Sequence, residues 1–140
     1  MPLAYTIDSA HSVVLLRGWG ALTDAEVLAY FRALESDPRF EPHFSGLNDY
    51  RGVVRDRLTP QGLIELARAS PFGERSRRAF LVSEPSIYGM IRMYQLVGRG
   101  LRGETAVFRD IDAALEWLGL ASLKTELLDT LGKAPPVPTS

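Results

Sequence analysis

Two carboxylates are the first candidates for chemistry. Asp49 and Glu84 each stand just past a short apolar run, 44–47 and 79–82, of a length that suits a buried strand. Neighbouring parallel strands would bring the two acids together at one end of a sheet, where a close pair can exchange a proton in acid/base catalysis. Arg51, two residues beyond Asp49, offers the blander outcome, an ion pair that closes the loop. With Tyr50, Ser83 and Ser86 they make a polar set of six, predicted to cluster where open α/β sheets usually take ligands.

Other constellations are thin. His11 and His43 fall in a turn and a loop before a strand, at the sheet end away from Asp49, and show no metal-ligand spacing. No Gly-x-Ser-x-Gly is present, and cysteine is absent, which removes disulfides and thiolate chemistry. Gly98-Arg99-Gly100-Leu101-Arg102-Gly103 matches the dinucleotide fingerprint in letters, but it follows a helix and precedes a strand, the reverse of what pyrophosphate binding needs. It reads as a helix stop and a link. No catalytic residue, metal ligand or cofactor is therefore expected, and a small enzyme using the strand-end carboxylates is the weakest reading. Arg75, Arg77, Arg78, Arg99 and Arg102, with Arg39, are expected as a basic rim at the amino-terminal end of the sheet. Such a rim would meet phosphate head groups or an acidic partner, or would simply be solvated.

The elements that must position these groups alternate. Residues 3–7 and 12–17 form a hairpin, broken by Gly18-Trp19-Gly20. Thr23-Asp24-Ala25-Glu26 is a capping box before a helix that ends at Asp37-Pro38. The central strand enters at Phe44 and spills Asn48, Asp49 and Tyr50 into a loop; Thr59-Pro60 opens a helix to about Ser70. Residues 71–78 read as a loop and 79–82 as a strand. Ser86 is placed to cap a third helix whose core face is Ile87, Met90, Ile91, Tyr94 and Val97. A strand at 105–108, a helix from Asp110 to Gly119 and a leucine row at 120, 123, 127 and 131 follow. From Gly132 a Pro-rich tail, 132–140, is expected to be disordered.

This is an α/β pattern: about five strands in a mixed, mostly parallel sheet with covering helices and an antiparallel first strand, as one domain over 1–131. The net charge of -1 supplies no field for nucleic acid, so no nucleic-acid partner is expected. No apolar run nears the roughly 18 residues of a membrane span, and no signal pattern opens the chain, so a cytoplasmic location is expected.

The hairpin ending in Tyr5-Thr6-Ile7-Asp8, Leu22-Thr23-Asp24-Ala25-Glu26 before the first helix, Asn48-Asp49-Tyr50-Arg51-Gly52-Val53, and the run from Val107 through Asp110 and Trp117 to Leu118 resemble the bacterial SpoIIAA-like family over roughly 3–119. The resemblance implies the STAS fold of anti-sigma-factor antagonists, a fold also compared with lipid-binding Sec14-type domains. Regulatory STAS antagonists carry a phosphorylatable Asp-Ser-Ser/Thr-Gly run after the central strand. Arg57-Leu58-Thr59-Pro60-Gln61-Gly62 stands there instead, and Thr59 offers its only hydroxyl, better used as a cap.

The expected function is a non-enzymatic binding or regulatory module acting through a protein partner. The alternative is a carrier or sensor of an apolar or lipid-like ligand between the third helix and the sheet, at or near a membrane surface. Tyr88, Met93 and Leu96 lie outside that helix's core face, so it is apolar around much of its circumference and expects cover from a second subunit, a ligand or the C-terminal segment. A homodimer that buries this helix, the leucine row at 120–131 or both, with Tyr88 and Met93 near the contact, is the specific expectation; a pocket lined by Met90, Met93 and Tyr94 would favour the ligand.

Overall fold

The computed structural model describes residues 2–98 and 102–137. Its strands are β1 (Leu3–Asp8), β2 (Val13–Thr23), β3 (Ser45–Arg57), β4 (Arg77–Leu81) and β5 (Glu104–Phe108). They lie side by side in chain order, with β1 antiparallel to β2 and every other pair parallel. Helices α1 (Asp24–Ser36), α2 (Pro60–Ala69) and α3 (Pro85–Val97) connect successive parallel strands. Right-handed crossovers between strands laid down in sequence all fall on one face, and these three helices share one core with that face. Leu16, Tyr50 and Phe80 from the sheet meet Phe31, Leu63 and Ile91 there.

The opposite face is covered by the chain after β5. Helix α4 (Ile111–Leu118), a 3-10 turn (Ala121–Leu123) and α5 (Lys124–Gly132) return across it. Leu115, Leu127 and Leu131 bury Val13, Leu15, Leu47 and Ala79. The leucine row therefore covers its own sheet, as a parallel sheet buried on both faces requires. Gly119 makes the turn between α4 and the 3-10 segment: its φ of 74° is left-handed, and the Leu120 N–H reaches back to Leu115 O at 2.8 Å.

The helix starts obey local chemistry. Thr23 Oγ accepts from the Glu26 N–H at 3.3 Å and donates to Glu26 Oε1 at 2.7 Å, a variant of the expected box. Pro60 opens α2, and Thr59 caps it through the Gly62 N–H at 2.9 Å. Ser86 does not cap α3. Glu84 occupies that position without a side-chain cap bond, because Pro85 takes the first helical turn one residue earlier.

The largest departure concerns strand length. β2 does not break at Gly18-Trp19-Gly20, and β3 does not end at Asn48: the two stay paired to Thr23 and Arg57, whereas β4 pairs with β3 only as far as Asp49. The glycines serve close approach rather than termination. A Cβ on Gly52 would lie 2.9 Å from Gly18 O, and Gly20, at φ 68°, carries one of two register shifts in the ladder. β4 likewise starts earlier than expected and takes Arg77 and Arg78 out of the predicted loop.

The tail is the second correction. Residues 133–137 lie along β1, with Val137 N–H donating to Leu3 O at 2.9 Å and Tyr5 N–H to Pro135 O at 3.2 Å. Ala134 and Val137 are buried. The free edge of β1 needs partners for its backbone, and an extended Pro-containing segment can supply them where a helix cannot. Residues 138–140 of the expected disordered tail lie outside the described residues.

Candidate functional site

The six polar residues expected at one sheet end are divided by the strand that carries them. Alternation along β3 sends Asn48 and Tyr50 into the core under α1–α3, and Asp49 and Arg51 to the other face. Asp49 is engaged by Arg51 through both oxygens, Nε to Oδ1 and Nη2 to Oδ2, each at 2.9 Å. That pairing raises the Arg51 pKa. Tyr50 is buried, and desolvation pushes its hydroxyl well above the ordinary tyrosine range. Ser83, Glu84 and Ser86 are exposed where β4 passes into α3. Asp49, level with Leu81 in the parallel register, stands at the same end as Glu84, as the strand directions required.

Helix α3 buries Ile87, Met90, Ile91 and Tyr94, and turns Tyr88, Met93 and Leu96 outward at 37%, 48% and 58% exposure. Its own C-terminal segment does not cover them, because α5 packs on the opposite face. Met90 and Tyr94 line a cavity of about 30 Å³ between α3 and the sheet; Met93 does not. That volume holds about one water molecule, so no chamber for an acyl chain is formed there.

The basic rim is not continuous: Arg78 and Arg102 line one cleft, which Arg39, Arg75 and Arg77 do not. Arg39 pairs with Asp37 at 2.8 Å, and Arg77 lies over the Trp117 ring at 4.1 Å. Arg102 donates to the carbonyls of Arg68 and Ser70 at the end of α2, at 3.1 and 2.8 Å. Arg75 is exposed, Arg99 lies outside the described residues, and Gly100 and Leu101 of the glycine motif do too. Arg78 turns inward and is buried. The signal for it was the alternation Arg78, Phe80, Val82, which puts the arginine on the same face as two core residues.

The start of α2, where the resemblance places a phosphorylatable run, is already filled. Thr59 Oγ donates to Asp24 Oδ2 at 2.9 Å while it caps α2, and Asp24 Oδ1 accepts from the Thr59 N–H at 3.3 Å. A carboxylate from α1 thus occupies the anion-favouring end of α2. Elsewhere Asp8, His11 and Glu126 bring three potential ligand atoms within 4.8 Å of one another. Asp8 is held by the His11 ring at 2.8 Å and its N–H at 3.1 Å, which raises the His11 pKa and closes the β1–β2 turn.

No helix among the described residues is long and apolar enough to cross a membrane. No protein-family model matches the chain, and no curated protein does. Among solved structures it is similar to an uncharacterized DUF3478-family protein with a SpoIIAA-like fold from Shewanella loihica PV-4, at 20% identity and a TM-score of 0.57, over 83% of this chain and 93% of that one. The element order, the two-faced sheet and this likeness agree: the chain has the SpoIIAA-like fold.

Proposed function

We propose that the protein is a non-enzymatic binding module that works through protein contact at the outer face of α3, and that its partner there is a second copy of the chain. The observation that carries this reading is the stripe formed by Tyr88, Gly89, Met93 and Leu96, all exposed. A glycine inside a helix costs up to about 1 kcal/mol relative to alanine, and a Cβ on Gly89 would meet nothing within 4 Å. The chain's own packing gives no reason for it. A notch beside protruding tyrosine and methionine side chains is complementary to itself, which is what a two-fold contact requires. Exposed Arg92 stands between Tyr88 and Leu96 on the same face, and Arg109 lies over the Tyr88 ring at 5.6 Å, so a two-fold contact must leave these cations at its rim.

Burying side chains of this size is worth about 1.5–3 kcal/mol each, and a stable contact needs roughly 800 Å² per partner. The three large residues are thus anchors of such a patch. Sedimentation velocity of the wild type and of Met93→Glu tests the reading. The expected result is a wild-type dimer and a folded monomeric variant, since an unpaired charge in an apolar contact is costly. A wild type that stays monomeric at high micromolar concentration refutes it.

A further inference from the structure

Arg78 is 6% exposed, and among the described residues no carboxylate pairs with it. Arginine is rarely buried without a counter-charge, because the desolvated guanidinium loses more than a neutral hydrogen bond returns. Its room is prepared. Gly46 on β3 leaves space for the arginine stem, where a Cβ would approach Arg78 Cγ to 3.2 Å. Phe72 and Tyr94 present rings 5.1 and 5.6 Å from the guanidinium, and one NH2 group donates to the Tyr94 hydroxyl at 3.1 Å. Among the described residues the Nε–H has no partner. Aromatic faces and a hydroxyl hold a cation in place without neutralising it.

A cleft of about 310 Å³ opens onto this group between the ends of α2 and α3 and the start of β5. Among the described residues Arg78, Arg92 and Arg102 line it, and no acidic side chain does. Arg102 is partly satisfied by the carbonyls ending α2. Arg92 is steadied by Gln95 Oε1 at 2.8 Å, and Gln95 in turn is fixed by donating to Thr105 O and Oγ1, both at 3.0 Å. The arrangement has a buried cation at its floor, an oriented cation at its wall and hydroxyls alongside.

The geometry points to a binding site for the phosphoryl group of a small soluble phosphate ester, seated between Arg78, Arg92 and Arg102. Arginine forks match oxyanions in shape, and a phosphate monoester, at about -1.5 to -2 charge near neutral pH, balances this excess better than a monoanionic carboxylate does. The volume suits a small ligand. The site lies at the amino-terminal end of the sheet, and Leu96 at its edge also belongs to the contact proposed on α3.

The test is an NMR titration of the full chain at constant ionic strength with inorganic phosphate, with glycerol phosphate, and with phosphatidic-acid-containing vesicles. Saturable amide shifts at Tyr94, Gln95 and Thr105 with the soluble probes are expected. Arg78→Met, which keeps the stem against the rings, should bind at least about tenfold more weakly, the loss of one charge-assisted contact. Should that variant fail to fold, Arg92→Gln at the exposed wall gives the same comparison. No saturable shift in the wild type, or equal affinity in wild type and variants, overturns the proposal. A response to vesicles with none to the soluble probes also overturns it and makes the cleft a membrane-surface site.

Discussion

Replacing Gly62 by alanine should destabilise the protein, although helix propensity alone predicts the opposite. In α2 an alanine would gain up to about 1 kcal/mol over glycine. Here its Cβ would coincide with the Asp24 carboxylate, with Oδ2, Cγ and Oδ1 all within 2.3 Å. The carboxylate must swing away, and it then loses its bonds from Thr59 Oγ and the Thr59 N–H. Hydrogen bonds to a charged group contribute about 1.5–3 kcal/mol, and an anion at a helix N-terminus about 0.3–1 kcal/mol more. Counting the two bonds as one such contribution and subtracting the propensity gain leaves a net loss of about 1–3 kcal/mol, or roughly 3–9 °C in Tm for a domain of this size. Urea unfolding of Gly62→Ala, Asp24→Ala and the double variant measures it as a cycle. In the Asp24→Ala background the clash is gone, so Gly62→Ala should become neutral or stabilising. A destabilisation that is equal in both backgrounds would refute the argument and put the cost in the α2 backbone.

Two further outcomes follow from the structure. Deleting residues 133–140 should lower stability by about 2–3 kcal/mol, because it removes the buried Val137 and Ala134 and uncovers the β1 backbone; a urea midpoint unchanged by the deletion would mean that the tail does not pack. Asp37 is held down to about 2 from an ordinary 3.8, first by the side-chain hydrogen bond from Arg39 and then by bonds that include the one from Tyr5. A depressed carboxylate contributes stability above its unfolded pKa, so this share is complete above about pH 4 and is lost as pH falls toward 2. Arg39→Gln should raise the Asp37 midpoint followed by NMR and shrink the acid-dependent loss; a wild-type midpoint near 3.8 would refute the pairing.

Periodicity and capping determined much of this protein before any coordinates. The α/β order, the antiparallel first strand, the core face of α3 and the cap role of Thr59 follow from spacings within a few residues, and local geometry enforces them wherever they occur. The Asp49–Arg51 pair was legible for the same reason: residues two apart on a strand share a face. Tertiary structure decided whatever depended on a partner distant in sequence. Gly18 and Gly20 look like breakers until the sheet closes around Gly18 and the β2–β3 ladder shifts register at Gly20. The Pro-rich tail looks unstructured until the free edge of β1 offers it a partner. Arg78 reads as one of a run of surface arginines; its alternation with Phe80 and Val82 hints at an inward face, and the register of β4 against β3 and β5 sets it there, among aromatic rings and beside a cleft. A one-residue change of register reverses a strand's faces, so the difference between a solvated cation and a buried one was never a property of the residue itself.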